Sequence, residues 1–417
     1  MAALSRAAKF VPKAVPFDHP LWIVYSSGTT GMPKPIVHGH GGTTIEYLKA
    51  MQLSCDLTEG DIFFWFASTS WIMWNYNISA LMSGSTVVLF DGNPGYPDSG
   101  TLWRLVERER VTMFGCSPAF MQLNMKNGMR PREKFELSSL RCVGATGSPL
   151  PEDAYQWCYE HVHPDILLAS ISGGTDPNAA FVGACPIAPV FAGEMQARGL
   201  GLAVYAYDDS GREVYDEVGE LVCTRPAPSM PLYFWGDADG RRYFESYFDV
   251  YPGVWRHGDW LKLVRHESAV GGIIYGRSDS TINRSGIRMG TSEIYRVVDA
   301  FDEVADSLVI DLEYLGRESF MALFIVTRAP HVLTAELTMR LQAAIKSQLS
   351  ARYVPDEVLS IPEVPRTITG KKLEVPVKKI LLGQSPDKAC NRSAMSNPQS
   401  IDWFIEFARM RNAQLKL

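Results

Sequence analysis

Between residues 20 and 170, short β-rich runs alternate with longer helical patterns, and this alternation restricts the fold more than any other feature of the chain. The order is LWIVY then TTIEYLKAM, DIFFWFA then the segment 71–82, STVVLF then TLWRLVERE, VTMFG then AFMQLNMK, LRCVG then PEDAYQWCYEH, and finally ILLAS. Helices placed between successive strands imply a parallel sheet with helices packed on its faces. LWIVY is expected to open that sheet.

From about residue 180 to 275 the texture changes to Gly, Pro and the alternating runs GLAVYAYDD, GELVCT, VWRHGDW and GGIIYG. These predict an antiparallel or barrel-like subdomain. After Arg277 come helix-like TSEIYRVVDAF, strands DSLVIDL and FMALFIVT, the helix LTAELTMRLQAAIKSQL and a last strand near EVLSI. The expected organisation is a large parallel-sheet α/β body with a β-rich subdomain over residues 1–278, a small α+β domain over 279–385 and a helical tail over 386–417. In the tail, Asn397 and Pro398 are expected as an N-cap and first-turn pair. Trp403, Phe404, Phe407 and Ala408 then recur at helical spacing and are expected to dock on the protein itself.

Composition narrows the function classes. With 46% hydrophobic and 21% charged residues the chain can build packed cores, and a net charge of −6 gives no general attraction to nucleic acid or to an anionic membrane surface. The most apolar segment, DIFFWFASTSWIMWNYNISALM, is broken by Ser, Thr and Asn before it could span a bilayer. Seven cysteines lie singly with no CxxC pair, which fits reduced thiols in a cytoplasm better than a disulfide framework. The pairs His38/His40 and His161/His163 have neither the spacing nor the companions of a metal site. The first residues have no apolar core of a secretory signal; an organellar leader and an alternative start stay open.

The stretch YSSGTTGMPKPIVH over 25–38 combines glycines that permit close backbone approach, hydroxyls that can donate to phosphate oxygens, and the mobile charge of Lys34. No GxxxxGK[ST] is present. A phosphate loop and a polar turn are both compatible with these residues taken alone.

Company decides between them. This loop, ISGGTD, VWRHGDW, GRSDSTINRSGIRMGTSEI and PRTITGKK, in that order, resemble the adenylate-forming acyl-CoA synthetases. Within that superfamily PFDHPLWIVYSSGTTG, DGNPGYPD, PRTITGKKLEVPVKKILLG and NPQSIDWF are most similar to the acetoacetate-activating branch, from about Val15 to the C-terminus. The resemblance implies the adenylate-forming enzyme fold with a mobile small domain, N-terminally incomplete because relatives carry much sequence before the loop. It implies ATP, Mg2+ and coenzyme A, and a reaction in which the acid attacks the α-phosphorus before the thiol displaces AMP. Such chemistry needs anions positioned and charge stabilised, with no protein nucleophile.

Residue by residue, the resemblance assigns Ser26, Ser27, Gly28, Thr29, Thr30, Gly31 and Lys34 to the β- and γ-phosphates. Gly147, Ser148 and Pro149 match the adenine pocket, although Ser148 replaces the usual Glu and a plain helix entry is an alternative. Thr175 matches an α-phosphate contact. Asp176 stands at a magnesium-binding position, with a turn Asp as the alternative. Gly173 and Gly174 occur where acetate-specific relatives carry bulky residues, which implies room for a longer acid such as acetoacetate unless another segment refills the space. Asp259 and Arg277 match ribose contacts, an ordinary salt bridge being the alternative. Asp279 falls at the hinge, Arg288 near the AMP phosphate, and Lys371 at the adenylation lysine. A ligase forming acetoacetyl-CoA or a similar short acyl-CoA is the leading reading. The alternatives are a shortened, non-catalytic nucleotide-binding or interaction protein, and delivery of the acyl group to a carrier. A separate N-terminal half or a homo-oligomer could complete the fold.

Overall fold

The computed structural model describes residues 11–26, 34–208, 210–267, 269–278, 282–284, 287–289, 291–312, 320–368 and 370–415. At its centre is a five-stranded parallel sheet in the spatial order Thr86–Val87, Ile62–Trp65, Met113–Cys116, Cys142–Ala145, Leu167–Ser170. Alternate residues face opposite ways along each strand. Phe64, Phe114, Val143 and Leu168 join one buried cluster with the helices Thr101–Arg108, Pro118–Lys126 and Glu152–Trp157. Phe63, Trp65, Met113, Cys142 and Ala169 join another with Ile72–Ser79 and its neighbours. Both faces are therefore covered, as a parallel sheet requires. Trp65 explains two of the glycines: its ring lies where a Cβ on Gly115 or Gly144 would come within 2.0 and 2.5 Å.

LWIVY does not open this sheet. The strand Pro20–Ser26 pairs antiparallel with Lys34–Gly39, which pairs antiparallel with Tyr233–Phe234. The connection over residues 27–33 is too short for a crossover, since parallel neighbours need a dozen or more residues between them.

The β-rich region holds a five-stranded antiparallel sheet, ordered Glu213–Val214, Val204–Tyr207, Val218–Cys223, Trp255–Arg265, Val270–Arg277, and a smaller sheet of Ser172–Gly174, Ala179–Gly183 and Ala197–Arg198. Beyond it, Val304–Leu312 and Phe320–Thr327 pair antiparallel, and Glu357–Ser360 joins parallel to the second. The period of two recurs here. Val309, Leu323 and Ile325 meet the helices Thr291–Val298 and Ala335–Gln348. Leu308, Ile310, Ala322 and Phe324 meet Glu374–Leu381 and Ser400–Leu415 on the other face. The tail helix thus shares the core of the small sheet through Ile401, Phe404 and Ala408.

Asn397 is not the N-cap of that helix, which begins at Ser400. Its side chain instead accepts from the Arg366 backbone N–H at 3.0 Å and donates to the Val364 carbonyl at 2.9 Å. Those two bonds hold the chain ahead of the TGKK turn and satisfy the Asn397 amide there. All seven cysteines are free thiols, six of them buried. No helix among the described residues is long and apolar enough to cross a membrane.

Candidate active site

The carboxyl ends of the strands Cys142–Ala145 and Leu167–Ser170 lie side by side, and ligands of open α/β sheets bind beyond such ends. The first strand leads into Gly147, Ser148 and Pro149, all exposed, and the second into the turn carrying Thr175 and Asp176. The Thr146 hydroxyl ties the two together by donating to the Ile171 carbonyl at 2.8 Å. Pro149 and Pro151 also precede the helix Glu152–Trp157, with Pro151 at its N-cap. Thr175 is half-buried.

Asp176 is buried and bonds to groups from the strand Lys34–Gly39 and the helix Arg241–Tyr247. Lys34 forms an ion pair with its Oδ1, and the Tyr247 hydroxyl donates to the same oxygen at 2.5 Å. His38 reaches the Asp176 backbone carbonyl at 3.0 Å through Nε2. Trp22 donates its indole N–H to His38 Nδ1 at 3.3 Å, so His38 is the neutral Nε2–H tautomer, donating to Asp176. Burial raises the Asp176 carboxyl, but the charges of Lys34 and His257 with the Lys34 and Tyr247 hydrogen bonds outweigh it and leave it well below the usual range.

As a magnesium ligand Asp176 does not fit this arrangement. Its Oδ1 is taken by an ammonium and a phenol, and the described residues hold no group of three or more His, Cys, Asp or Glu side chains able to bind a metal ion. Magnesium at a nucleotide takes one or two carboxylates plus the phosphate oxygens, and an ammonium and a phenol on the carboxylate oxygen leave it no place there. Here Asp176 acts as the counter-ion of Lys34.

Asp259 and Arg277 sit opposite one another on adjacent antiparallel strands, 3.4 Å apart at Oδ1 and Nη1. The His257 ring lies 3.6 Å from Asp259 Oδ2 and packs edge-on against Phe181. Glu220 accepts from the Gly258 N–H and the Ser278 hydroxyl, both at 3.0 Å, and pairs with Arg256 at 3.2 Å, which fixes the strand that carries Asp259.

Lys371 comes to this cluster from the last fifty residues. The turn before it has Gly370 at φ +83°, closed by Gly370 N–H to the Thr367 carbonyl at 2.8 Å and Lys371 N–H to the Thr367 hydroxyl at 3.0 Å. Arg366 braces the turn by donating to the Gly370 carbonyl and forking onto Asp306 at 2.7–3.0 Å. Lys372 points back into the small domain, 3.6 Å over the Tyr295 ring and 3.4 Å from Asp306. Lys371 keeps contact with solvent while protein crowds around it. That crowding pushes its ammonium below the ordinary lysine value; Arg277 acts in the same sense, and Asp259 and Asp176 oppose it. Lys371 therefore stands within electrostatic reach of all three.

Gly173 and Gly174 open no empty space. A Cβ on Gly173 would lie 2.0 Å from the Ala179 carbonyl oxygen, and one on Gly174 would lie 2.9 Å from the His257 ring. The neighbouring strand and His257 fill the volume that missing side chains were expected to free. Gly173→Ala is expected to destabilise the protein by about 1–3 kcal/mol through overpacking against backbone, read as a lowered Tm.

Ser27, Gly28, Thr29, Thr30, Gly31 and Asp279 lie outside the described residues, as does the side chain of Arg288, whose strand Ile287–Met289 pairs with Ile282–Arg284. At the loop's feet, Ser26 opposes Lys34 across the pairing, and the Ser26 hydroxyl is buried with no partner among the described residues. Sequence reasoning gave no site role to His38, Glu220, Tyr247 or His257, although His38 closes the stretch YSSGTTGMPKPIVH and His257 lies inside HGDW.

His38 and His257 are both buried, and burial is the main cause that lowers each below the ordinary histidine value. Asp176 partly opposes the shift at His38; at His257 Asp259 and Asp176 oppose it while Arg277 and Lys34 add to it. The unfolded chain then binds these protons at higher pH than the folded one. Their stabilisation is fully present above about pH 6.5 and is lost as pH falls from there through the folded values. Calorimetry is expected to give a steady Tm from pH 8 to 7 and a decline below 6.5, shallower in His38→Asn.

The AMP-binding enzyme family matches residues 3–234. The chain is 42% identical over 399 residues to acetoacetyl-CoA synthetase of Gallus gallus, covering 95% of this chain and 59% of that protein. It is 42% identical over 408 residues to acetoacetyl-coenzyme A synthetase of Rhizobium meliloti (strain 1021), covering 98% and 62%. The solved acetoacetyl-CoA synthetase from Streptomyces lividans superposes with a TM-score of 0.91 at 47% identity, over 97% of this chain and 62% of that one. The anthranilate CoA ligase AuaEII, solved with anthranoyl-AMP, shares the fold at a TM-score of 0.70 and 20% identity, over 85% and 66%. The chain spans 59% and 62% of the length of the two curated relatives named here. With more than half of its length matched by the family and the adenylate-forming fold around the site, the chain belongs to the AMP-binding enzymes.

Proposed function

We propose that this chain performs the ATP-dependent joining of acetoacetate, or a similar short acid, to coenzyme A. The acid's carboxylate oxygen bonds to the α-phosphorus of ATP and pyrophosphate leaves; the coenzyme A thiol then attacks the acyl carbon, and AMP and a proton leave. The observation that carries this reading is the Lys34–Asp176 ion pair beyond the carboxyl edge of the parallel sheet, with Lys371 close enough to Asp176, Asp259 and Arg277 for their charges to act on its ammonium.

In this reading Lys371 balances the negative charge shared by the entering carboxylate and the α-phosphate. Asp259 accepts the ribose hydroxyls, with Arg277 beside it. Lys34, Ser26 and residues 27–31 take the outer phosphates, Thr175 the α-phosphate, Gly147 to Pro149 the adenine and Arg288 the AMP phosphate. ATP brings its own divalent cation, and no step is assigned to a protein-held one. The small domain turns about Asp279 between the two half-reactions, and the free thiols suit a cytoplasmic setting.

A panel of short acids assayed for pyrophosphate release and for coenzyme A-dependent AMP release tests this. Acid-dependent release of both products, fastest with acetoacetate, supports the ligase. ATP binding without turnover overturns it in favour of a non-catalytic nucleotide-binding protein.

A further inference from the structure

We infer that Tyr247 is a positioning residue of the phosphate site, the second donor to Asp176 that lets Lys34 leave its counter-ion for a polyphosphate. This rests on the proposed adenylation site, because it takes Lys34 as a phosphate-binding group.

Tyr247 ends the short helix Arg241–Tyr247, in a stretch outside every nucleotide motif, yet only 2% of its surface is exposed. Its ring stacks on Trp255 with centroids 3.6 Å apart and planes 13° from parallel, and meets Phe234 and Tyr243 edge-on. That packing leaves the hydroxyl one position, 2.5 Å from Asp176 Oδ1 and 3.3 Å from Lys34 Nζ. The same ring carries Lys34 Nζ 4.7 Å from its centroid, so the phenol supports both members of the ion pair.

Asp176 is buried, and a buried carboxylate stripped of its cation is strongly disfavoured unless other donors remain. When Lys34 turns to an incoming phosphate, the Tyr247 O–H stays on Asp176 Oδ1. The phenol thereby lowers the cost of the exchange. Without it Asp176 would hold Lys34 as its main donor and compete with the ligand.

The test is calorimetric binding of inorganic pyrophosphate to the full chain, with a chelator present so that the free anion is the ligand throughout. Tyr247→Phe is expected to bind about tenfold more weakly, the worth of one charge-assisted hydrogen bond. Asp176→Asn removes the charge that retains Lys34 and is expected to bind at least as tightly as the unmodified chain. In Asp176→Asn the further change Tyr247→Phe is expected to have no effect. A packing defect would weaken both backgrounds alike, and that result overturns the inference. Equal affinity of the Tyr247→Phe and unmodified chains overturns it too. If the unmodified chain binds no pyrophosphate, the phosphate-site reading falls and the inference with it.

Discussion

Lys371→Ala is expected to lower acid-dependent pyrophosphate release by about a hundredfold or more, the usual cost of removing a preorganised group from developing charge. Conversion of preformed acyl-adenylate to thioester is expected to persist at a substantial fraction of its rate. The contrast follows from placement. Lys371 reaches the site on a turn braced by Arg366, Asp306 and Asn397, while Lys372 is turned away onto Tyr295 and Asp306. Lys372→Ala is therefore expected to disturb the small domain more than the chemistry. Single-turnover assays of the two half-reactions separate these outcomes. Equal loss in both for Lys371→Ala would remove the lysine from its assigned role.

Phe404→Ala is expected to cost about 3–5 kcal/mol of stability, as for other buried aromatic truncations. Phe404 is fully buried, with Phe324 at 5.0 Å and Trp403 at 5.1 Å between ring centroids. It packs with Leu308, Ile310 and Val377, so the tail helix completes the core on which the lysine-bearing turn is built. Met339→Ala, at a position 62% exposed, is expected to change stability by less than about 0.5 kcal/mol. Urea titration compares the two. Adenylation is expected to fail in Phe404→Ala at the denaturant concentration where this core melts.

The strands and helices of the parallel sheet could be read from the chain because each run carries its own period and its helices separate the strands. The same holds for the strands of the small sheet, whose alternate residues divide between two helical layers. LWIVY misled because strand composition says nothing about the partner. The length of the following connection chose the hairpin, and its residues read as a phosphate loop rather than as a turn. Asp176, Asp259, Arg277 and Lys371 stood out as motif residues, and in the fold the charges of the first three act on Lys371. Their supports did not stand out. Tyr247 is one tyrosine in the run RRYFESY, and only the packing of Trp255 against it shows why its hydroxyl meets Asp176. Gly173 and Gly174 left freed volume and refilled space both open, because a sequence shows which side chain is missing and not which neighbour has moved in.

The pairing of Ser26 with Lys34 has a consequence for how this protein meets its nucleotide. Residues 27–33 connect two feet, Ser26 and Lys34, that are tied to one rung of a sheet already anchored by Ile36 and Phe234 in the core. A connection of that length between two fixed ends carries the entropic toll of a small ring rather than of a free strand of chain. The foot that bears the positive charge is itself a rung, so a tug on the ammonium is delivered straight into the sheet.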